Sequence, residues 1–198
     1  MDKIYKLVEF VKFTHEIRNI KRAILLESNE NYENDSEHMY QLALVAWYLI
    51  ENDDLKLDKY RCVGMAMVHD IVEVHAGDIP AYAPEYNHPS KAENEKKAAI
   101  KLSQQWPNFT SLHELINEYE VNKTPESHFV YALDKLIPII NNYVYDGRTW
   151  KEVGLDLEWV KKSKVGKIDM SPEINRYYHQ LLKVLEQKPE LFGSKNGR

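Results

Sequence analysis

Residues 65–78 read MAMVHDIVEVHAGD, a stretch in which charged side chains interrupt a run of apolar ones. An α-helix advances about 100° per residue, so His69 and Glu73 would lie about 40° apart on one face, with Asp70 on the adjacent flank. Burial of an unpaired carboxylate is costly, so we expect a positive charge beside this group. The stretch therefore predicts a helix that packs into a core and carries a polar site.

Helical periodicity continues on both sides of this stretch. Only 7 Gly and 8 Pro occur in 198 residues, and apolar residues recur at spacings of three and four, which predicts an all-α fold. We expect helices over about 2–16, 36–52, 58–75, 90–106, a short one after residue 110, 124–145 and 171–188, and an irregular segment over about 19–35. The first helix carries an apolar stripe of Ile4, Leu7, Val8 and Val11.

Composition limits the classes of protein to which the chain can belong. Hydrophobic residues make up 43% and charged ones 29%, which suits a folded core. The net charge of −5 argues weakly against nucleic-acid binding. The sequence contains no run of about 18 apolar residues, so we expect no membrane-spanning helix. A single cysteine, Cys62, excludes an internal disulfide and a multi-thiolate zinc site. We expect a soluble, cytoplasmic protein that binds neither nucleic acid nor membrane.

Two further polar residues interrupt apolar helix faces. His38 begins the stripe of the second predicted helix, and Asp134 lies in the middle of the long helix over 124–145, where aspartate is unfavourable without a specific partner. Imidazole nitrogens suit iron, zinc, cobalt and nickel, and carboxylates suit manganese and magnesium, so the identity of the metal stays open. The interrupting residues form a ligand set for one divalent cation: His38, His69, Asp70 and Asp134.

Each of these residues also has an ordinary structural explanation. A histidine on a helix face is more often a satisfied core or surface residue, and adjacent His-Asp pairs occur by chance. Asp134 has Lys135 as a neighbour with which to pair. The joint pattern favours the metal site, because every one of the four residues interrupts an otherwise apolar helix.

This ordered set on consecutive helices resembles the HD-domain superfamily of metal-dependent phosphohydrolases. Within the superfamily the 5′-deoxynucleotidase branch is the most similar, because SEH stands at 36–38, HDIVEVHAGDIP at 69–80 and ALDK at 132–135. The combined HDxxExxxGDxP string is specific for this branch. The resemblance implies an HD-type helical bundle with the metal site between helices.

The resemblance covers residues from about 5 to 145. No internal repeat or break in composition appears along the chain, so we expect one domain over 1–198. Residues from about 146 to 198 then form a helical extension of that domain.

The resemblance also implies roles for single residues. It assigns metal binding to the four interrupting residues named above, and catalysis to Glu73 and Asp78, without dividing the work between these two carboxyl groups. Arg22 is the best match to an arginine that holds the substrate phosphate, although Arg18 lies close by. The family often has an aromatic residue directly after this arginine, where this chain has Ala23.

The implied activity is that of a metal-dependent phosphomonoesterase, which converts (deoxy)ribonucleoside 5′-monophosphates to nucleoside and phosphate as a homodimer or larger assembly. The alternatives are another HD phosphohydrolase, such as a phosphodiesterase or a nucleoside polyphosphate hydrolase, and a non-catalytic metal-binding HD protein. A second metal held by His88 and His113 also stays open. Core packing is the default for the aromatic residues around the sixth predicted helix, with a place in the nucleoside pocket as the alternative for one of them: Tyr131, Tyr143, Tyr145 and Trp150.

Overall fold

Helices dominate the structure, a computed structural model that describes residues 2–26, 31–83 and 89–193, leaving out the side chains of 89–92. The prediction of an all-α fold is confirmed, with one small sheet added. The elements are α1 (Lys3–Ile17), β1 (Lys21–Leu25), β2 (Tyr32–Asn34), α2 (Asp35–Asn52), α3 (Lys59–Ala66), α4 (Glu73–Ala76), α5 (Pro89–Gln105), α6 (Thr110–Val121), α7 (Pro125–Val144), α8 (Arg148–Val153), α9 (Leu157–Lys164) and α10 (Pro172–Leu185), followed by a 3₁₀ turn at Pro189–Leu191.

The small sheet lies where the sequence predicts an irregular segment. Strands β1 and β2 pair antiparallel, with Lys21 opposite Asn34 and Leu25 opposite Tyr32. The second strand leads directly into α2, whose N-terminus is closed by a capping box between Asn34 and Glu37. The sheet therefore holds the side chains of β1 beside the first turn of α2.

The helix predicted over about 58–75 is wrong in its second half. Helix α3 ends at Ala66, and residues 67–72 form successive turns before the short helix α4. The N–H of Ile71 donates to the carbonyl of Val68 at 3.1 Å, which is the three-residue spacing of a 3₁₀ turn. Apolar residues three and four apart suit both geometries, so periodicity alone does not distinguish them.

Helix α7 is the central helix of the larger of two hydrophobic clusters. It begins with Pro125 after a capping box between Thr124 and Ser127, and it continues across Pro138, where the proline ring supplies no N–H for the helical hydrogen bond. Side chains of α2, α3 and α10 pack around it. Because most of α7 is buried, a charged residue within it needs a specific partner.

The second hydrophobic cluster lies among α1, α4, α5 and α6 and contains Phe13, Leu102 and Ile116. Helix α2 contributes to both clusters, through Met39 in the smaller one and Leu42 in the larger. Both clusters therefore border the N-terminal half of α2, which is where His38 lies.

The segment after residue 145 packs against the sheet and α7. The backbone N–H of Leu25 in β1 donates to Oγ1 of Thr149 in α8 at 3.0 Å. Trp150 stacks on Phe192 with ring centroids 4.8 Å apart. Among the described residues, no helix combines the length and the apolar character that a membrane crossing requires.

Candidate metal centre

The four side chains predicted as metal ligands meet at one point of the interior. His38 comes from α2, Asp134 from α7, and His69 and Asp70 from the turns that follow α3. His38 Nε2 lies 3.0 Å from Asp134 Oδ1, and His69 Nε2 lies 3.0 Å from Asp70 Oδ2. One nitrogen or oxygen of each residue lies within 4.8 Å of those of the other three. The four residues, which we call the His/Asp cluster, thus converge as a ligand set would.

The orientation of His69 is the test of whether a metal fits this cluster. Its Nδ1 lies 3.0 Å from the carbonyl of Ala66, which places the ring proton there and leaves a lone pair on Nε2. Nε2 is buried, has no hydrogen-bond partner among the described residues and faces the carboxylates of Asp70 and Asp134. A lone pair beside two carboxylates is unfavourable unless a cation lies between them. The donor set therefore fits a divalent metal ion.

The pKa values of the two histidines are shifted in opposite directions, and that of His69 shows that the carboxylates favour a positive charge. Burial alone would lower the pKa of His69, but the carboxylates of Asp70 and Asp134 raise it to about 10. Burial, together with the positive charge of Arg22, lowers the pKa of His38 to about 4. Without a metal ion, a proton on His69 supplies the missing charge in the cluster.

Asp134 uses its two oxygens for different partners. Oδ1 faces the histidines, whereas Oδ2 accepts hydrogen bonds from Tyr119 Oη at 2.7 Å and from Lys135 Nζ at 2.5 Å. Its pKa lies well below the ordinary value, because Lys135 and the histidines outweigh the effect of burial. The ordinary explanation of Asp134, a pair with Lys135, and the metal-ligand explanation are therefore compatible.

Arg22 lies beside the cluster, and Arg18 does not. The Nη1 atom of Arg22 donates to Asp70 Oδ2 at 2.6 Å and to Asp35 Oδ1 at 3.2 Å, which holds the guanidinium at the edge of the cavity described below. Arg18 ends α1 with its side chain exposed near His15. The difference follows from their elements. Arg22 lies in β1, where its side chain reaches Asp35 at the start of α2, whereas Arg18 lies at the exposed end of α1.

Two buried carboxyl groups near Arg22 escaped the sequence analysis. Glu33 and Asp35 expose 2% and 0% of their surface, and burial raises the pKa of both to about 7. Glu33 Oε2 lies 3.7 Å from Nδ1 of His38, on the side of the ring away from the cluster. The inward register of β2 opposite Arg22 would have been the signal for these residues, but the sheet itself was not predicted.

Glu73 and Asp78, the predicted catalytic residues, both line the same cavity as the cluster. Glu73 opens α4, and a carboxylate oxygen of this residue lies within 4.8 Å of one from Asp70 and one from Asp35. Burial, together with these two carboxylates, raises the pKa of Glu73 to about 11, so the group carries a proton at neutral pH. Asp78 follows Gly77, whose φ of 78° ends the helix in a conformation that suits glycine.

The cavity beside the cluster has a volume of about 440 Å³. Of the aromatic residues singled out in the sequence, Tyr131 and Trp150 line it, and Tyr143 and Tyr145 do not. Trp159 and Lys164, which no sequence pattern distinguishes, also line the cavity. The lining includes Arg22, Ala23, Asp70, Glu73, Asp78, Tyr82, Tyr119, Tyr131, Asp134, Lys135, Trp150, Trp159 and Lys164.

The structure does not bring His113 to the cluster. The Nε2 atom of His113 lies 2.8 Å from the carbonyl of Trp106, beside a second cavity between α5 and α6. His88, the other histidine considered for a second metal, lies outside the described residues. The His/Asp cluster itself needs neither of them.

Comparison with known proteins identifies the family of this arrangement. The sequence model of the HD domain family matches residues 14–175. The 5′-deoxynucleotidase HDDC2 of Xenopus laevis is 34% identical over 143 residues, which are 71% of this chain and 69% of that protein. Its human counterpart is 33% identical over 145 residues, 71% of this chain and 68% of that protein.

Solved structures share the same fold. A predicted metal-dependent phosphohydrolase from Magnetospirillum magnetotacticum superposes with a TM-score of 0.80 at 30% identity, over 96% of this chain and 98% of that one. A conserved hypothetical protein from Pyrococcus furiosus, with a TM-score of 0.60 and 22% identity over 91% of this chain and 99% of that one, shows the fold alone.

Proposed function

The chain belongs to the HD-domain family, and we propose that it is a metal-dependent phosphomonoesterase that hydrolyses (deoxy)ribonucleoside 5′-monophosphates to nucleoside and phosphate. The curated relatives, named 5′-deoxynucleotidases, support this substrate class. The observation that carries the proposal is the buried Nε2 of His69, which has no hydrogen-bond partner among the described residues and faces two carboxylates beside a cavity of about 440 Å³.

We propose that His38, His69, Asp70 and Asp134 hold one divalent ion, whose identity among cobalt, manganese, iron, zinc, nickel and magnesium the donor set does not select. When bound, such an ion neutralises phosphate charge and lowers the pKa of water. The ring proton on Nδ1 of His69, held by the Ala66 carbonyl, keeps Nε2 directed at the cluster.

Arg22 is proposed to bind the phosphate of the substrate. Its guanidinium is held by Asp35 and Asp70 on the wall of the cavity, so little side-chain freedom is lost when it donates to an anion. A guanidinium offers paired N–H donors that match two phosphate oxygens. This arrangement supports binding of a phosphomonoester directly beside the His/Asp cluster.

Glu73 is proposed to transfer the proton that the leaving nucleoside requires. An alkoxide is a poor leaving group, so a carboxylic acid that is protonated at neutral pH can donate to the ester oxygen as the bond to phosphorus breaks. The raised pKa of Glu73 supports this role. Asp78, on the same cavity wall, is proposed to orient the water or the sugar.

The nucleoside is proposed to lie against the aromatic wall formed by Tyr131, Trp150 and Trp159. Aromatic rings provide flat surfaces on which a base stacks. Ala23 lines the cavity in the place where the family often has an aromatic residue, so the base contacts come from α7, α8 and α9.

A hydrolysis screen of the metal-loaded protein tests the proposed function. Nucleoside mono-, di- and triphosphates and cyclic nucleotides are compared, with chelator-treated protein as the control. We expect phosphate release from 5′-monophosphates that chelator abolishes and the ion restores. Activity confined to cyclic nucleotides or triphosphates would select the alternative HD chemistries, and no hydrolysis with any ion would favour a non-catalytic protein.

We also propose that the protein is a homodimer. The apolar stripe on α1, consisting of Ile4, Leu7, Val8 and Val11, is between 41% and 57% exposed, and an exposed apolar surface of this kind is typical of an interface. Light scattering at micromolar concentrations is expected to give twice the chain mass for the unaltered protein. The Val8→Glu variant is expected to give the mass of one chain. Lys6→Glu, a charge change away from the stripe, is the control, and a monomer mass for the unaltered protein would contradict the proposal.

Two further proposals concern the whole chain. A single domain over residues 1–198 is supported by Thr149 and Trp150, since the extension bonds to β1 and lines the same cavity as the cluster. A cytoplasmic location is supported by the single cysteine, Cys62, which is buried and unpaired.

A further inference from the structure

Lys164, the last residue of α9, lines the cavity. It belongs to the C-terminal extension, whereas all the predicted site residues lie before residue 145. The other basic side chains of the lining have carboxylate partners: Arg22 contacts Asp35 and Asp70, and Lys135 contacts Asp134. Over the described ranges of the chain, the ammonium of Lys164 has no such ion pair and no hydrogen bond. It is therefore a cation of this cavity that still lacks a counter-charge.

Two other ammonium groups oppose the positive charge of Lys164. Burial, together with the ammonium groups of Lys135 and Lys167, lowers its pKa to about 7, and Asp134 opposes this shift only weakly. Asp134 already accepts two hydrogen bonds at Oδ2 and faces the histidines with Oδ1. Asp134 is therefore shared among the histidines, Tyr119 and Lys135 and offers Lys164 little neutralisation, so an anion in the cavity would supply the counter-charge that Lys164 lacks.

Lys135 places one of these ammonium groups directly beside the His/Asp cluster. Asp134 links the two regions, because its Oδ1 lies 3.0 Å from His38 Nε2 while its Oδ2 lies 2.5 Å from Lys135 Nζ. An anion at the cluster is therefore one carboxylate away from the ammonium of Lys135. Lys164, Lys135 and Arg22 line the same cavity from α9, α7 and β1.

We propose that Lys164 and Lys135 form a second anion-binding wall of the cavity, which holds phosphate oxygens of the substrate in addition to those held by Arg22. This inference deepens the proposed function and rests on it for the identity of the substrate. An ammonium group is a compact charge with three rotatable donors, which suits phosphate oxygens presented at varied angles. The phosphate bound there is either the reacting group itself or a second phosphate on the same nucleotide.

Replacement of Lys164 by Met tests the inference, because Met keeps the length of the side chain and removes its charge. Binding of inorganic phosphate and of thymidine 3′,5′-bisphosphate to the metal-loaded protein is followed by stopped-flow tryptophan fluorescence, before turnover, with Trp150 and Trp159 as reporters in the cavity wall. Lys164→Arg is the charge-keeping variant. Lys162→Met, at an exposed position on the same helix, is the matched control.

We expect Lys164→Met to weaken binding by roughly tenfold or more, since a charge-assisted hydrogen bond is lost, while Lys164→Arg and Lys162→Met bind nearly as the unaltered protein does. Weaker binding of both ligands assigns the wall to the reacting phosphate. Weaker binding of the bisphosphate alone assigns it to a second phosphate. Unchanged binding of both ligands would overturn the inference.

Thermal stability separates a binding role from a structural one. Removal of an unpaired, partly buried charge is expected to raise Tm by roughly 2–4 °C, whereas loss of a structural lysine would lower it. A lower Tm with unchanged phosphate binding would therefore overturn the inference in a second way.

The experiment also distinguishes this inference from the proposed function. Phosphate binding that depends on Lys164 in a protein without nucleotidase activity would support the anion-binding wall and contradict the proposed reaction. Nucleotidase activity in a protein whose phosphate binding does not depend on Lys164 would support the proposed reaction and contradict the anion-binding wall.

Discussion

At the scale of single residues, His69 and Asp134 in the His/Asp cluster are each oriented by hydrogen bonds on the side away from the cluster. The Ala66 carbonyl holds Nδ1 of His69, and Tyr119 and Lys135 hold Oδ2 of Asp134. These outer contacts restrict the rotation of the ligand side chains, so the donor atoms remain convergent. Arg22 is held in the same way by two carboxylates, so the residues proposed to bind the ion and the phosphate are positioned before any ligand arrives.

Glu73 gives the sharpest prediction at this scale. Glu73→Gln preserves size and most hydrogen bonding but carries no exchangeable acid, so we expect metal and substrate binding to persist while turnover falls by roughly two to four powers of ten. Single-turnover kinetics and ion content of the variant provide the measurement. Glu114→Gln, at an exposed position on α6, is the control.

Two other outcomes would assign Glu73 a different role. Loss of bound metal together with activity would make it a further ligand, in keeping with its closeness to Asp70 and Asp35. Lower stability with turnover retained within a factor of about three would make it a structural residue and contradict the proposed proton transfer.

The lowered pKa of Lys164 predicts that the free energy of unfolding depends on pH. Its pKa of about 7 in the folded protein lies below the ordinary lysine value of 10.5, so the folded protein binds fewer protons than the unfolded chain between these two values. The cost of the buried charge is fully present below about pH 7 and disappears as the pH rises toward 10.5.

The measurement compares the unaltered protein with Lys164→Met by chemical denaturation across this range. We expect the variant to be the more stable protein near pH 6, with a difference that shrinks as the pH rises to about 9. The neighbouring charges of Lys135, Lys167 and Asp134 are the same in both proteins. A difference that stays constant with pH would contradict the lowered pKa of Lys164.

At the scale of elements, the β1–β2 sheet and α8 together set the position of Arg22. Strand β1 is bonded on one side to β2 and on the other, through the N–H of Leu25, to Oγ1 of Thr149. The contact between Leu25 and Thr149 is buried, which restricts movement of the strand. The extension after residue 145 therefore acts on the site through the strand that carries Arg22.

Thr149→Val tests this coupling between elements. Valine has the shape of threonine but leaves the buried N–H of Leu25 without an acceptor, so we expect the free energy of unfolding to fall by about 1–3 kcal/mol. A displaced Arg22 should also raise KM more than it lowers kcat, because substrate binding depends on the phosphate contact.

Thr149→Ser is the matched control, since it keeps the hydroxyl group. Denaturant unfolding and steady-state kinetics of the two variants provide the comparison. If Thr149→Val loses stability and leaves KM unchanged, α8 supports the fold without positioning Arg22.

At the scale of the whole molecule, the His/Asp cluster joins α2, the turns after α3, and α7, so an ion there would connect elements far apart in sequence. An ion that binds the folded chain alone stabilises it by mass action. We therefore expect one tightly bound divalent ion per chain, and a fall in Tm of roughly 5–10 °C when a chelator removes it.

Elemental analysis and thermal unfolding with and without chelator measure this effect. Asp134→Asn is the control, because it should lose the ion and with it the response to chelator. Purified protein that takes up no divalent ion and shows no shift in Tm would contradict the metal centre.

The sequence by itself predicted most of the helices and the four residues that meet in the His/Asp cluster. Polar residues that interrupt apolar faces are visible in a linear pattern, because burial of an unpaired His or Asp in a helix is unfavourable at any position. His38 and Asp134 were identified on this ground alone. The resemblance then added the roles of Glu73, Asp78 and Arg22.

Only the tertiary structure decided which further residues surround the cluster and line the cavity. Glu33, Tyr119, Trp159 and Lys164 occupy positions that no local pattern distinguishes from surface or core residues. The short sheet and the 3₁₀ turns after Ala66 were missed for a related reason. Short strands and single turns depend on long-range contacts more than on the sequence spacing within them. The role of Lys164 depends on the tertiary structure in the same way, because only the fold brings Lys135, Asp134 and Lys164 to the same cavity.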